Sequence, residues 1–333
     1  MTFKRRINRT ETYVFIALVL FILLVQLRSG QFFTGNNIVD IIRSLTVPAM
    51  FCIAELLILI SGGIDVSFPS IAALSMYIVS TRMIHYSGNI SVFFVVGILL
   101  GFIMGLLNGF FVARFRFPAL IVTLGTASLY AGILNGVFGA HESPIPNAML
   151  LLGKAKLFSI YNRQLQISSD MPITVLFLVV LVILTIFLLY YTKLGRGIFA
   201  IGGDFVSAQR AGFNVAAIQI FVYSFSGALA GFTGVTRACM MLNCAPTNMM
   251  GMEMTVIAAC VLGGASVTGG TGTITGTLLG ITLMTVMANS LILIGIPTYW
   301  QRVFTGLIIL IGTGISAYQI LLKKRKIAEK QVG

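Results

Sequence analysis

Ten stretches of the chain are apolar along most of their length: residues 12–27, 44–61, 65–83, 91–113, 118–139, 171–191, 216–238, 251–268, 271–295 and 299–321. A helix needs about 20 apolar residues to cross the hydrocarbon of a bilayer, with a range of roughly 17–25. No soluble fold of this length hides so many such runs, because most outer residues of a soluble protein are polar. Only 9% of the 333 residues are charged and 57% are hydrophobic. A soluble domain carries roughly 25% charged residues. The expected fold is all-α and integral to a membrane. It is a single domain over residues 1–333, a polytopic bundle of about ten transmembrane helices.

The net charge of +13 would suit a nucleic-acid partner, but its placement argues against one. Lys4, Arg5, Arg6 and Arg9 open the chain, and Lys323, Lys324, Arg325, Lys326 and Lys330 close it. Arg114 and Arg116 form a pair, and Lys193, Arg196 and Arg210 share one connection. Basic patches between apolar runs follow the positive-inside rule. Ten crossings place both termini and both connections on the cytoplasmic side, whereas nine would set the basic tail opposite the basic head. Tyr299 and Trp300 then fall at the outer interface, and membrane lipid surrounds the bundle. Tyr13 to Val25 is followed by Gln26-Leu27-Arg28-Ser29, without a small-x-small cleavage site, so it reads as an uncleaved first helix. The connection at about 140–170 faces outward, and its mildly apolar middle, Met149 to Ile160, lies along the surface.

Several chemistries lack their residues. Cys52, Cys239, Cys244 and Cys260 form no CxxC pair, and His85 and His141 are the only histidines. Neither a disulfide framework nor a zinc site is expected, and the thiols read as small packing groups. There is no GxxxxGK[ST] loop, HExxH motif or Ser/His/Asp set, so neither ATP hydrolysis nor other catalysis is expected on this chain, and no cofactor.

Glycines recur at helical spacing: Gly97, Gly101, Gly105 and Gly109; Gly227 and Gly231; Gly272, Gly276 and Gly280. Each series is a groove that lets another backbone approach closely. Leu99-Leu100-Gly101 with Pro118, and Leu278-Leu279-Gly280 with Pro297, share one constant offset, a weak sign of an inverted repeat. Two segments, Ile60-Ser61-Gly62-Gly63-Ile64-Asp65-Val66-Ser67 and Val261-Leu262-Gly263-Gly264-Ala265-Ser266-Val267-Thr268-Gly269-Gly270-Thr271-Gly272, break the apolar pattern. Irregular backbone at membrane depth is tolerated only where protein or water satisfies it. Asp65 and Ser67, like Ser266 and Thr268, are placed to cap the helix that follows or to meet a solute. Glu55, Asp65 and Glu253 are carboxylates in or beside apolar runs, hence candidate pathway groups, or polar caps in the case of Glu253. Asn108 and Asn289 are either pathway groups or interhelical hydrogen-bond partners.

Four stretches resemble, in order, the permease subunits of bacterial ribose/xylose/autoinducer-2 type ABC sugar importers. Gly62-Gly63-Ile64-Asp65-Val66-Ser67 resembles the family's GGIDLS signature. Pro118 through Thr126 resembles PAFIVTLGT, and Ala200-Ile201-Gly202-Gly203-Asp204 with Ala208-Gln209-Arg210-Ala211-Gly212 resembles AIGGN…AARLSGI. The fourth, Glu253 through Gly280, resembles the family's last glycine-rich stretch. Thr255 stands where the family usually has Asp, Pro69 where it has Gly, and Asp204 where Asn is common.

The resemblance implies a non-catalytic permease in the bacterial inner membrane, paired with a second copy or a sister permease. It implies a separate ATP-binding subunit on the cytoplasmic side, an extracytoplasmic solute-binding protein, and a small sugar-like substrate. Residues 193–215 would be the ATPase-coupling loop, with Arg196, Gly202, Gly203, Asp204, Ala208, Gln209, Arg210 and Gly212 as its candidates. Ser207 to Ala211 would form a short helix capped by Asp204, and the glycines would turn the chain sharply. The pathway and gate candidates are Glu55, Gly62, Gly63, Asp65, Asn108, Thr126, Glu253, Gly263, Gly264 and Asn289. The broken segments would move as two packings of the bundle exchange. The alternative is a stand-alone secondary transporter or facilitator, favoured by the weak repeat and the membrane carboxylates. A branched-chain amino-acid permease is a further rival; its zwitterionic substrate would call for fixed charges in the pathway, and the sparse buried charges lean towards a neutral polyol.

Overall fold

The computed structural model describes residues 9–162 and 166–300, with isolated positions from 303 to 314. The basic residues 1–8, Arg163 and the basic tail lie outside them, as does most of the run 299–321. The described chain is mostly helical. In order come α1 (Arg9–Ser29), α2 (Gly35–Ile60), α3 (Phe68–Arg82), α4 (Ile90–Phe115), α5 (Ala119–Gly136) and α6 (Asn147–Lys154). A hairpin of β1 (Lys156–Asn162) and β2 (Ile167–Pro172) follows. Then come α7 (Val175–Tyr191), α8 (Lys193–Gly203), α9 (Phe205–Arg210), α10 (Val215–Met241), α11 (Met252–Leu262) and α12 (Ile274–Leu293).

Six of these helices are long and apolar enough to cross a membrane, or seven if α7 and α8, bent by 73°, count as one span. That is fewer than the ten runs of the sequence. Hydropathy adds residues up whatever the backbone does, and the glycine breaks cut two runs short. α3 has 15 residues and α11 only 11. At 1.5 Å per residue these reach roughly 22 and 16 Å, less than a hydrocarbon core of about 30 Å.

α2 is the axis of the bundle. From Ala49 to Ile60 every residue is buried, on all faces of the helix. A helix buried all round must be surrounded by protein or lipid, and here α7, α10, α11 and α12 surround it. α1, α5 and α7 keep broad apolar faces exposed, such as Leu20, Leu24, Ile121, Val180 and Ile183.

The glycine series pack against one another. A Cβ at Gly101 would strike the Gly227 carbonyl, and one at Gly231 would strike the Gly97 carbonyl. Only hydrogens separate α4 and α10 along this seam, as close-packed membrane helices require. On the other side of the bundle, a Cβ at Gly276 would meet the Gly263 carbonyl, and one at Gly280 the Ala259 carbonyl.

The connection at 140–170 is more ordered than a surface-lying apolar stretch. β1 and β2 pair antiparallel, with Tyr161 opposite Ser168 and Phe158 opposite Met171. Asn36 Nδ2, at the start of α2, donates to Ser169 Oγ at 3.1 Å. The Tyr77 hydroxyl of α3 donates to the Phe138 carbonyl at 3.0 Å, just past the end of α5. This end of the bundle is opposite the one that carries α8 and α9.

Candidate functional site

Both breaks are built by the same backbone device. α2 stops where Gly62 takes φ +86, with Gly62 N–H bonded to Leu59 O at 3.0 Å and Gly63 N–H to Ile58 O at 3.0 Å. α11 stops where Gly264 takes φ +95, with Gly264 N–H bonded to Val261 O at 2.9 Å and Ala265 N–H to Cys260 O at 3.0 Å. This is the Schellman pairing, and a left-handed glycine makes it inexpensive.

Past the first break the chain runs extended into a buried polar cluster. Asp65 is 1% exposed and Glu55 is fully buried. Asp65 Oδ1 accepts from both the N–H and the hydroxyl of Ser67, each at 2.6 Å. Asp65 therefore ties its own turn, and Ser67 starts α3 without a side-chain cap. Asn108 Nδ2 of α4 donates to Ser67 Oγ at 2.8 Å. Glu55 Oε1 accepts from Asp65 N–H at 3.3 Å. Thr123 of α5 donates to the Ile64 carbonyl at 3.1 Å and accepts from Val66 N–H at 3.3 Å. Three helices, α2, α4 and α5, thus help to satisfy the extended segment, as backbone at this depth demands.

Three buried polar atoms beside this network have no hydrogen-bond partner: Glu55 Oε2, Asn108 Oδ1 and the Tyr223 hydroxyl. The Tyr223 hydroxyl lies where a Cβ of Gly63 would be. The glycine groove makes this contact, because Gly105 and Gly109 let the backbone of α10 approach α4 beside Tyr223. Below Tyr223 a cavity of about 370 Å³ is lined by Gly62, Gly63, Arg116, Pro118, Phe205 and Tyr223. Tyr223 and Gly63 lie between it and the carboxyl cluster.

The second break meets the first through glycines. Gly270 N–H donates to the Ile60 carbonyl at 2.9 Å. A Cβ at Gly269 would lie 2.8 Å from Gly62 Cα and 2.6 Å from the Gly202 carbonyl. One at Gly202 would strike the Ile60 carbonyl. The end of α8 is therefore wedged against both breaks at once. Ser266 and Thr268 do not cap α12. They bond each other at 2.8 Å, and Thr273 takes the cap by accepting from Gly276 N–H at 3.0 Å. The Thr273 hydroxyl also donates to Glu11 of α1.

The segment 193–215 is two short helices rather than a glycine-turned loop. Gly195, Gly197, Gly202 and Gly203 all lie in α8, and only Gly212 takes a left-handed φ, +85. Asp204 caps α9, accepting from Ser207 N–H at 2.6 Å. Hydrogen bonds from the Ser207 side chain and backbone hold the Asp204 carboxyl below the usual carboxylate range. Arg196, Gly203, Asp204, Gln209, Arg210 and Gly212 are exposed together on this surface, while Gly202 and Ala208 are buried.

The remaining sequence candidates scatter. Gly263 and Gly264 form the second break. The Thr126 hydroxyl bonds back to the Thr123 carbonyl at 3.3 Å within α5, away from the carboxyls. Glu253 accepts from Gly251 N–H at 3.0 Å at the start of α11, a polar cap at the far end of the bundle. Asn289 lines a separate cavity among α2, α11 and α12. Sequence reasoning missed Thr123 and Tyr223. Their signal is a hydroxyl inside an apolar run, which needs a partner when buried.

Over residues 37–312 the chain matches the family described as branched-chain amino acid transport system / permease component. The chain belongs to this permease family. It is 32% identical to the ribose import permease protein RbsC of Escherichia coli K12, over 89% of this chain and 90% of the relative. It is 28% identical to the xylose transport system permease protein XylH of Haemophilus influenzae, over 86% and 90%. It is 32% identical to the autoinducer 2 import system permease protein LsrC of Yersinia pseudotuberculosis, over 91% and 83%. No solved structure matches the chain. The permease family gives the apolar helices their context, a permease component in a membrane.

Proposed function

We propose that this chain is the membrane-spanning permease of an ATP-driven importer for a sugar or sugar-like solute, with a separate ATPase docking on the exposed face of α8 and α9. The relatives named for ribose, xylose and autoinducer 2 support the substrate class. One observation carries the coupling. Gly202, at the end of α8, is backed directly onto the Ile60–Gly270 crossing of the two breaks. A push on α8 meets the gate candidates with no compressible side chain between. ATP binding and hydrolysis on the partner then bias two packings of the bundle, and Tyr223 over Gly63 closes the path from the α8 side.

The full crossing count belongs to the same reading. α3 and α11 each complete a crossing together with the broken segment beside them, and the sequence offers a tenth apolar run, 299–321, mostly outside the described residues. Gly62 lies at the α8 end while Tyr77 of α3 reaches Phe138 at the other, which supports a full traverse by α3. Ten crossings of one domain put both termini on the cytoplasmic side with α8 and α9. A second permease copy or a sister permease, and a solute-binding protein on the outer face, complete the assembly.

Purification of the tagged chain from its host in gentle detergent should recover a P-loop ATPase in about stoichiometric yield. Charge reversal at Arg210 with Gly203→Trp should abolish that recovery. Both sites are exposed, and a Cβ at Gly203 meets nothing within 4 Å, so the bundle should stay folded. Recovery of the chain alone, with ATP-independent sugar flux in liposomes, would make it a secondary transporter instead.

A further inference from the structure

Glu11 is the one carboxylate among the first 39 residues, and it follows Lys4, Arg5, Arg6 and Arg9. The positive-inside rule accounts for the basic residues but not for an acid among them. The side chain of Glu11 has a defined place. Its Oε1 accepts from the Thr273 hydroxyl, and from the Thr275 hydroxyl at 3.2 Å. These threonines are the cap and the first turn of α12, 262 and 264 residues further along the chain.

A threonine hydroxyl has one proton to give. Thr273 gives it to Glu11 and uses a lone pair to accept from Gly276 N–H at 3.0 Å. The carboxylate therefore orients the hydroxyl that caps α12, and it also meets the positive end of that helix. The neighbouring Thr10 touches the other end of the break: a Cβ on the left-handed Gly264 would lie 3.5 Å from Thr10 Cβ. The first turn of α1 thus reaches both ends of the segment 264–273. Within that segment Ser266 N–H bonds the Thr271 carbonyl at 2.9 Å, and Gly270 N–H donates outward to the Ile60 carbonyl. Among the described residues α1 packs chiefly on α12, so its packing and its hydrogen bonds bear on the same helix.

We propose that Glu11 is a positioning residue for the second break, and that α1 is a strap holding the segment 264–273 folded back against Ile60 and Gly202. The consequence for transport rests on the importer reading, in which this segment is a gate candidate; the strap itself does not. A push on α8 reaches the segment through Gly202, and the Glu11 bonds set how far the segment yields. Without them the segment would open without a push, and ATP hydrolysis would no longer be tied to opening.

Hydrogen exchange of the purified chain in nanodiscs tests the strap with neither ATPase nor solute present. The peptide that covers 264–273 reports opening of the Ser266 and Gly270 N–H bonds. A peptide from the α4 seam, residues 97–109, is the reference. Glu11→Leu removes the acceptor of both threonines and should speed exchange in the first peptide about tenfold or more, the worth of hydrogen bonds to a charged group. The reference should not change. Glu11→Gln keeps an acceptor and should stay within about threefold of the parent. Unchanged exchange in Glu11→Leu overturns the strap, and so does equal acceleration of both peptides, which would mark general loosening. In proteoliposomes holding the complete transport system, Glu11→Leu should raise the ATP hydrolysed per solute imported about twofold or more, as the two packings exchange less strictly. Glu11→Gln should restore the parental ratio. A parental ratio in Glu11→Leu overturns the positioning role. A chain that purifies without any ATPase would sink the importer reading and leave the exchange result in place.

Discussion

Replacing Gly202 with alanine adds one methyl group where α8 meets both helix breaks. The new Cβ would overlap the Ile60 carbonyl and lie 2.9 Å from the carbon of that carbonyl. Relief requires α8 to back away or the Gly270–Ile60 hydrogen bond, 2.9 Å long, to open. Forcing extra atoms into a packed site costs about 1–3 kcal/mol, and a lost backbone hydrogen bond adds about 1 kcal/mol. Alanine returns up to about 1 kcal/mol in helix propensity. The net loss is about 1–3 kcal/mol. At the adjacent Gly203 a Cβ meets nothing within 4 Å, so Gly203→Ala should be neutral or slightly stabilising. Thermal unfolding of the purified chain in nanodiscs, followed by fluorescence-detected size exclusion, reads the difference between the two neighbours. Gly202→Ala should melt several degrees below Gly203→Ala and should also uncouple transport from ATP hydrolysis. Equal melting temperatures with full transport would refute the wedge.

Other expectations follow from the same geometry. Gly101→Ala should destabilise by about 1–3 kcal/mol, because its methyl would meet the Gly227 carbonyl. Gly132→Ala on α5, with no atom within 4 Å, should leave the melting temperature unchanged. Asp65→Ala removes the acceptor for both Ser67 bonds and should cost about 2–3 kcal/mol, whereas Asp65→Asn keeps an acceptor and should cost less. A depressed carboxyl stabilises above its unfolded pKa and loses that contribution only as pH falls through its folded one. Asp204 should therefore keep α9 capped, and ATPase co-purification constant, at any pH above about 4. All four cysteines are buried, so a thiol reagent should leave the folded chain unlabelled.

Much of the site's chemistry was legible in the residue string. Gly62-Gly63 and Gly263-Gly264 read as breaks, since paired glycines end helices, and both proved to end them in the same left-handed turn. Asp204 read as a cap and is one. The glycine series read as seams, and those of α4, α10 and α12 are, but Gly272 lies before α12 and faces the side chains of Ile60 and Leu56. The roles of Ser266 and Thr268 went to Thr273, because the second break runs longer than the cap rule assumed. The glycines of 193–203 read as turns but serve as close contacts inside a helix, which residue type alone does not distinguish. Asn289 read as a pathway group or a helix partner, and nothing in the string shows that it lines a cavity apart from the carboxyl cluster.

The sequence by itself determined the solvent, because ten apolar runs and sparse charge can be accommodated only by a bilayer. It also determined where the backbone breaks, because glycine pairs act locally. Only the tertiary structure decided which groups meet. Glu55 and Asp65 are ten residues apart in sequence and share one network because the chain folds back at Gly62. Asn108 and Tyr223 reach the same region because bare glycines let α4 and α10 come together, and α5 brings Thr123 to it. Gly202 touches both breaks because three distant segments carry no side chain at their crossing. Such contacts depend on how separate helices pack, and no local propensity encodes them.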